Sequence, residues 1–257
     1  MKQFFITSLM LLIFVYCTGQ VQQSTSPRMT AAMTEIMDPE VKIIQPGAVN
    51  SDPPSDAIIL FNGTSDINKE WEGVDGNPAK WIVKDGFLIC VKGSGSIKTK
   101  LKFNDFQLHI EWRSADPPTG NGQGRGNSGI YLQERYEIQV LDSYNNRTYR
   151  AGQAGAVYKQ YAPLVNASRK PGEWQTFDIY YTAPRFASDS ITYFTPPLVT
   201  IVHNGILIQN NVSLRGPTKN VGIPEYLIKK HGPGSLILQD HNNPVPVAYR
   251  NIWIREL

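Results

Sequence analysis

Residues 122–143, GQGRGNSGIYLQERYEIQVLDS, hold the alternation that settles the fold class. The stretch begins with glycines at positions 122, 124 and 126, which tolerate backbone angles closed to other residues. Asn127, Ser128 and Gly129 lead into the apolar run Ile130-Tyr131-Leu132, and a charged break follows at Glu134-Arg135. Next comes a period-two run in which Tyr136, Ile138 and Val140 point one way and Glu137 and Gln139 the other. A carboxylate and an amide opposite a core face mark a surface able to hold a polar ligand. Asp142 shares the parity of the core residues and joins Glu137 and Gln139 only if a bulge follows Gln139.

The same period recurs along the chain. In residues 106–113, Phe106, Leu108, Ile110 and Trp112 alternate with Gln107, His109, Glu111 and Arg113. Asp85-Gly86 and Asn204-Gly205 each separate two apolar runs, which is the signature of tight hairpins. Further strands are predicted at 58–61, 174–181, 235–239 and 251–255, with turn residues every eight to twelve positions or so. Long amphipathic helical patterns and repeated βαβ units are lacking. These features predict an all-β fold, an antiparallel sandwich of the jelly-roll kind, with Phe106, Leu108, Ile110, Trp112, Ile138 and Val140 in its core.

Composition narrows the function. The chain has 257 residues and a net charge of +3, with its basic residues scattered, which argues against nucleic acid as a partner. Residues 1–19 have the form of an export signal: Lys2 is followed by an apolar core too short to span a membrane. A lipid anchor at Cys17 is the alternative to simple cleavage, although Tyr16 stands where a lipidation signal has a small residue. Either route takes the mature protein to the periplasm or cell surface, with no transmembrane span. Residues 20–56, with several prolines, form a linker or an extended arm, and 57–257 the domain. Cys90 then has no partner and sits among apolar neighbours as a small buried residue.

Polar residues on the non-core strand faces could line one concavity: His109, Glu111, Arg113, Glu137 and Gln139, and, if parity holds, His203 and Gln239 with His241. The plain alternative is a solvated sheet face. Trp112, Trp174 and Trp253 fall on apolar strand faces, as core residues do. No cofactor is expected. A divalent cation held by His203, His231 or His241 with Glu111 or Glu137 is left open, without any short-range ligand spacing to support it. The glycines near 120–129 precede no helix, so they do not form a phosphate loop, and there is no nucleophile elbow. The run 137–142 resembles the Glu-x-Asp-x-x-Glu segment of laminarinase-type glycosidases, but carries Gln at the middle position and Asp at the last. A glycosidase needs two carboxyls in complementary protonation states, so this departure weakens that assignment.

Four longer runs carry a closer likeness: GQGRGNSGIYLQERYEIQVLDSY, AGAVYKQYAPLVNASRKPGEWQTFDIYYTAPRF, VTIVHNGILIQNN and LILQDHNNPVPVAYRNIWIREL. Across residues 57–257 the chain resembles the 3-keto-disaccharide hydrolase family. The resemblance implies a concanavalin-like sandwich, export, and a glycoside substrate whose ring bears a ketone at carbon 3. That ketone acidifies the hydrogen at carbon 2, so a base can remove it and the group on carbon 1 can leave by elimination. Water then adds to the enone. Such chemistry needs one base, one enolate stabiliser and one proton donor. On this resemblance Glu137 is the base, Arg113 or Arg250 steadies the enolate, and His203 or His241 protonates the leaving group. Asn127, Gln139 and Gln239 hold hydroxyls, and Glu111, Asp142 and Tyr158 complete the substrate contacts. The alternatives are a carbohydrate-binding module without chemistry and a laminarinase-like hydrolase.

Overall fold

A computed structural model describes residues 28–63, 66–188, 193–226 and 230–257. The leader read at 1–19, with Cys17, lies outside the described residues. The chain divides into two units, residues 1–43 and residues 44–257. In the described part of the first unit a single 3-10 turn, Ala31–Met33, interrupts exposed chain.

The second unit is built from antiparallel strands in two main sheets. The large sheet runs β13 (Ile206–Ser213), β12 (Leu198–His203), β9 (Gln175–Thr182), β6 (Phe106–Arg113), β15 (Ala248–Glu256), β4 (Phe87–Ile89) and β3 (Ile82–Lys84), with β1 (Ile58–Phe61) also paired to β15. The small sheet runs β2 (Trp71–Gly73), β5 (Ile97–Thr99), β14 (Ile237–Leu238), β7 (Ser128–Leu132) and β8 (Tyr136–Val140). A short hairpin, β10 (Arg185–Phe186) with β11 (Tyr193–Thr195), stands apart from both. The turns follow the sequence. Asp85-Gly86 and Asn204-Gly205 all have positive φ, as a two-residue turn matched to strand twist requires.

The two sheets pack through their alternating apolar faces. Phe106, Leu108, Ile110 and Trp112 meet Ile130, Ile138 and Val140 in one core, all of them at most 1% exposed. Each such side chain contributes roughly 1.5–3 kcal/mol by leaving water. A buried hydrogen bond of 2.7 Å from the Tyr249 hydroxyl to Ser128 Oγ links the two inner faces. Cys90 is buried and unpaired, as its apolar neighbours imply.

The stretch 44–56 lies as a strap on the outer face of the large sheet. The Ser51 carbonyl accepts from Asn251 Nδ2 and from Trp253 Nε1, each at 2.9 Å, and Asp56 accepts from Arg255 Nε. Trp253 and Trp174 therefore depart from the core placement their strands suggest. Trp253 lies opposite His109 on the outer face and stacks on it, covered by the strap. Trp174 is also outside and packs against Phe87. The parity of β15 changes because of a bulge between Arg250 and Trp253, where Asn251 takes a φ of 44°.

Candidate active site

β7 and β8 form a hairpin in which Tyr131 lies opposite Glu137 and Gly129 opposite Gln139. β14 adds a third strand, bringing Ile237 beside Tyr131, and Gln239 N donates to the Gly129 carbonyl. On the outer face Gln139 and Gln239 thus flank a residue with no side chain. A dent forms there, and the Glu137 carboxyl leans across it. A Cβ on Gly129 would stand 2.6 Å from Glu137 Oε1, so glycine is what lets the acid occupy this position. The cavity holds about 360 Å³, room for a sugar ring, and is lined by Asn127, Tyr131, Glu137, Gln139, Tyr158, Thr218, Asn220, Gln239 and His241.

The free edge of β8 is covered by the segment that carries Tyr158. Tyr158 N donates to the Glu137 carbonyl at 3.0 Å, and Thr218 Oγ1 accepts from Glu137 N at 2.9 Å. Side chains are oriented by their amide nitrogens. Gln139 Nε2 donates to Asn127 Oδ1 at 2.9 Å and Gln239 Nε2 to the Tyr131 hydroxyl at 3.2 Å, while the carbonyl oxygen of each glutamine has no partner. Acceptors without donors suit a ligand rich in hydroxyls.

Glu137 is 4% exposed. Burial pushes its carboxyl up, a hydrogen bond from Tyr131 pulls it partly back, and the balance stands at about 7. The same burial raises Tyr131, so that hydroxyl stays a donor. A carboxyl poised near neutrality in a cleft is fitted to exchange protons with a ligand.

Of the residues singled out in the sequence, Glu137, Asn127, Gln139, Tyr158, Gln239 and His241 line this cavity. The others do not, His109 and His231 among them. His203 shares the parity of Val199 and Ile201 and points into the core, against Phe177 and Trp112. Burial holds it at about 3, so it stays neutral. Glu111, Arg113 and Arg250 project from the outer face of the large sheet, on the far side of the sandwich. Glu111 pairs with Arg250 at 2.6 Å, and both guanidinium groups stack on Trp174. Asp142 lies two residues past the end of β8, whose register has no bulge, and pairs with Arg125 at 3.0 Å beneath the glycine-rich turn. Period two separates inner from outer faces but does not say which sheet a strand joins, so it cannot tell the two outer faces apart. The sequence reading also missed Tyr131, Thr218 and Asn220. Only Tyr131 had a signal, since a turn at Glu134-Arg135 sets it opposite Glu137. Among the described residues no three His, Cys, Asp or Glu side chains gather as metal ligands.

An antiparallel sandwich with a cleft lined by amides, a carboxyl and hydroxyls on one outer sheet face belongs with the carbohydrate-active β-sandwich proteins. The chain belongs to the family of 3-keto-alpha-glucoside-1,2-lyase-like domains, which matches residues 56–255. It is similar to a protein of Parabacteroides distasonis described as a candidate glycosyl hydrolase: 49% identity, TM-score 0.82, covering 90% of this chain and 98% of that one. A second protein of that organism with the same description, 21% identical with a TM-score of 0.55, covers 79% of this chain and 94% of that one and shares the fold. No curated protein sequence matches the chain. Among the described residues no helix is long and apolar enough to cross a membrane.

Proposed function

We propose that this chain is an exported enzyme that cleaves glycosides carrying a ketone at carbon 3, with Glu137 as the base that removes the hydrogen at carbon 2. The observation that carries the proposal is a single buried carboxyl near pH 7 in a cavity whose described lining has no second one. Direct displacement at carbon 1 would need a pair of carboxyls about 5–10 Å apart. Elimination needs only a base, a donor to the enolate oxygen and a donor to the leaving group.

In this scheme the carbon 2 proton passes to Glu137 and the electron pair moves onto the carbon 3 oxygen. Collapse of the enolate expels the group on carbon 1, which takes a proton from His241 at the rim. Gln139, Asn127 and Gln239 hold ring hydroxyls. His203, Arg113 and Arg250 have no part, because the fold puts them elsewhere. Hydration of the enone product could use the same base in reverse.

The test is release of the aglycone from a 3-keto-glucoside. Glu137→Gln keeps shape and hydrogen bonding but removes the proton acceptor, and should lower the rate by about a hundred- to ten-thousand-fold. Reducing the ketone to an alcohol should abolish turnover by the unaltered protein. Full activity in Glu137→Gln, or equal cleavage of the reduced sugar, would refute elimination. Tight binding with no release from either sugar would mark a binding module.

A further inference from the structure

Elimination places negative charge on the carbon 3 oxygen, and with both arginines on the far face the site needs another donor. The cavity wall beside Glu137 supplies one. We propose that Tyr158 is a further catalytic residue, donating a hydrogen bond to the ketone oxygen as it becomes an enolate, and that Tyr149 is the positioning residue that orients it. This rests on the elimination chemistry proposed above.

Four observations support it. Tyr158 lines the cavity and is tied by its backbone to Glu137, so base and donor move together. The Tyr149 and Tyr158 hydroxyls are 2.6 Å apart. When Tyr149 donates to the Tyr158 oxygen, the Tyr158 proton is left for the ligand. The position of the Tyr149 ring is built in: a Cβ on Gly152 would meet Tyr149 Cε2 at 2.2 Å, so only glycine accommodates the ring. A chain of hydrogen bonds also links this loop to the floor of the site, from Gln139 to Asn127, from Asn127 to the Gln123 carbonyl, and from Gln123 Nε2 to the Gly152 carbonyl.

Lys159 supplies the field. Its backbone takes a φ of 58°, an uncommon conformation for a long side chain, and its Nζ lies 5.5 Å from the Tyr158 ring centre and 5.9 Å from that of Tyr149. The ammonium donates to the Asn220 carbonyl. A positive charge close to both rings favours charge on an oxygen that accepts from the Tyr158 hydroxyl. No proton need leave either tyrosine. The carbon 2 proton goes to Glu137, the electrons to the carbon 3 oxygen, and Tyr158 stabilises that oxygen until the carbon 1 bond breaks.

Two assays on the whole chain test this. One is aglycone release, and the other is exchange of the carbon 2 hydrogen with deuterated water in a 3-keto sugar that has no leaving group. Tyr158→Phe should slow both by about a hundred- to a thousand-fold, the usual cost of one oxyanion donor, with KM within a few-fold. Tyr149→Phe, altering a half-exposed ring that does not line the cavity, should lower kcat roughly three- to thirty-fold in both assays at unchanged KM. Lys159→Met should act in the same direction. Wild-type exchange in Tyr158→Phe would overturn the assignment, as would loss of release with exchange retained, which would put Tyr158 at the leaving group. If Tyr158→Phe does not fold, the Tyr149 and Lys159 variants decide alone, and wild-type kcat in both would overturn it. Inactive Glu137→Gln beside unaffected Tyr158→Phe would leave elimination standing and remove only this inference.

Discussion

At Glu137 two opposed influences decide whether the carboxyl can act. Burial between β7 and the 155–158 segment favours the neutral acid, and the Tyr131 hydroxyl favours the anion. A base must be deprotonated to work, so kcat/KM on a 3-keto-glucoside should rise with pH through about 7. Tyr131→Phe removes the bond that favours the charged form and should move that inflection upward. A profile already flat from pH 5, in either protein, would show that Glu137 is not the titrating base. Of the residues that make this site, Glu137 and Gln139 were legible from alternation alone. The role of Gly129 was not, because it consists in what is missing above a neighbouring strand.

At the level of elements, the strap and the hairpins differ in how they are held. The hairpins are local: Asn-Gly and Asp-Gly turns match strand twist within a few residues, which is why the sequence shows them. The strap is held by contacts some two hundred residues away, Ser51 to Trp253 and Asp56 to Arg255. Its partly exposed ion pair is worth at most about 1 kcal/mol, whereas burial of Trp253 and its neighbours contributes several times that. A chain begun at Ala57 should therefore melt roughly 5–15 °C lower by calorimetry. It should keep its activity at room temperature, since the cavity lies on the other sheet. An unchanged Tm would show that the strap does not cover the sheet in solution.

On the scale of the whole molecule, buried titratable groups set the pH range of stability. His203, held at about 3 against an ordinary 6.5, is protonated more readily in the unfolded chain, so stability falls as pH drops below 6.5. Glu111 is buried, which would raise it. His109, Asn251 and Arg250 outweigh that and hold it at about 2, so its contribution is lost as pH falls from 4.5 toward 2. His109 runs the other way. Burial would lower it, but Asp178 and Glu111 raise it to about 9, and its contribution is complete below 6.5 and disappears as pH rises through 9. Glu137, raised by burial from 4.5 to about 7, loses its contribution as pH rises through that window and offsets the gain from His203. Thermal melting should therefore be nearly level from about pH 4.5 to 6.5 and decline on both sides, and His109→Gln should flatten the alkaline decline. A Tm that climbs steadily from pH 6.5 to 9 would contradict this.

From residue pattern alone the chain is an antiparallel sandwich, with the core faces of β6 and β8 assigned residue by residue, because period two is a local property of extended backbone. Glu137, Gln139, Gln239 and His241 were likewise within its reach as outward or loop residues, while Asn127 and Tyr158 came from the family resemblance. Only the tertiary structure sorted the outer residues between two sheets. It sent Glu111, Arg113 and Arg250 to one side of the molecule and Glu137 to the other, and it turned His203 inward. The physical reason is that strand pairing is non-local: hydrogen bonds that join β14 to β7 or β15 to β6 connect residues a hundred or more positions apart, and no short window of sequence encodes that choice.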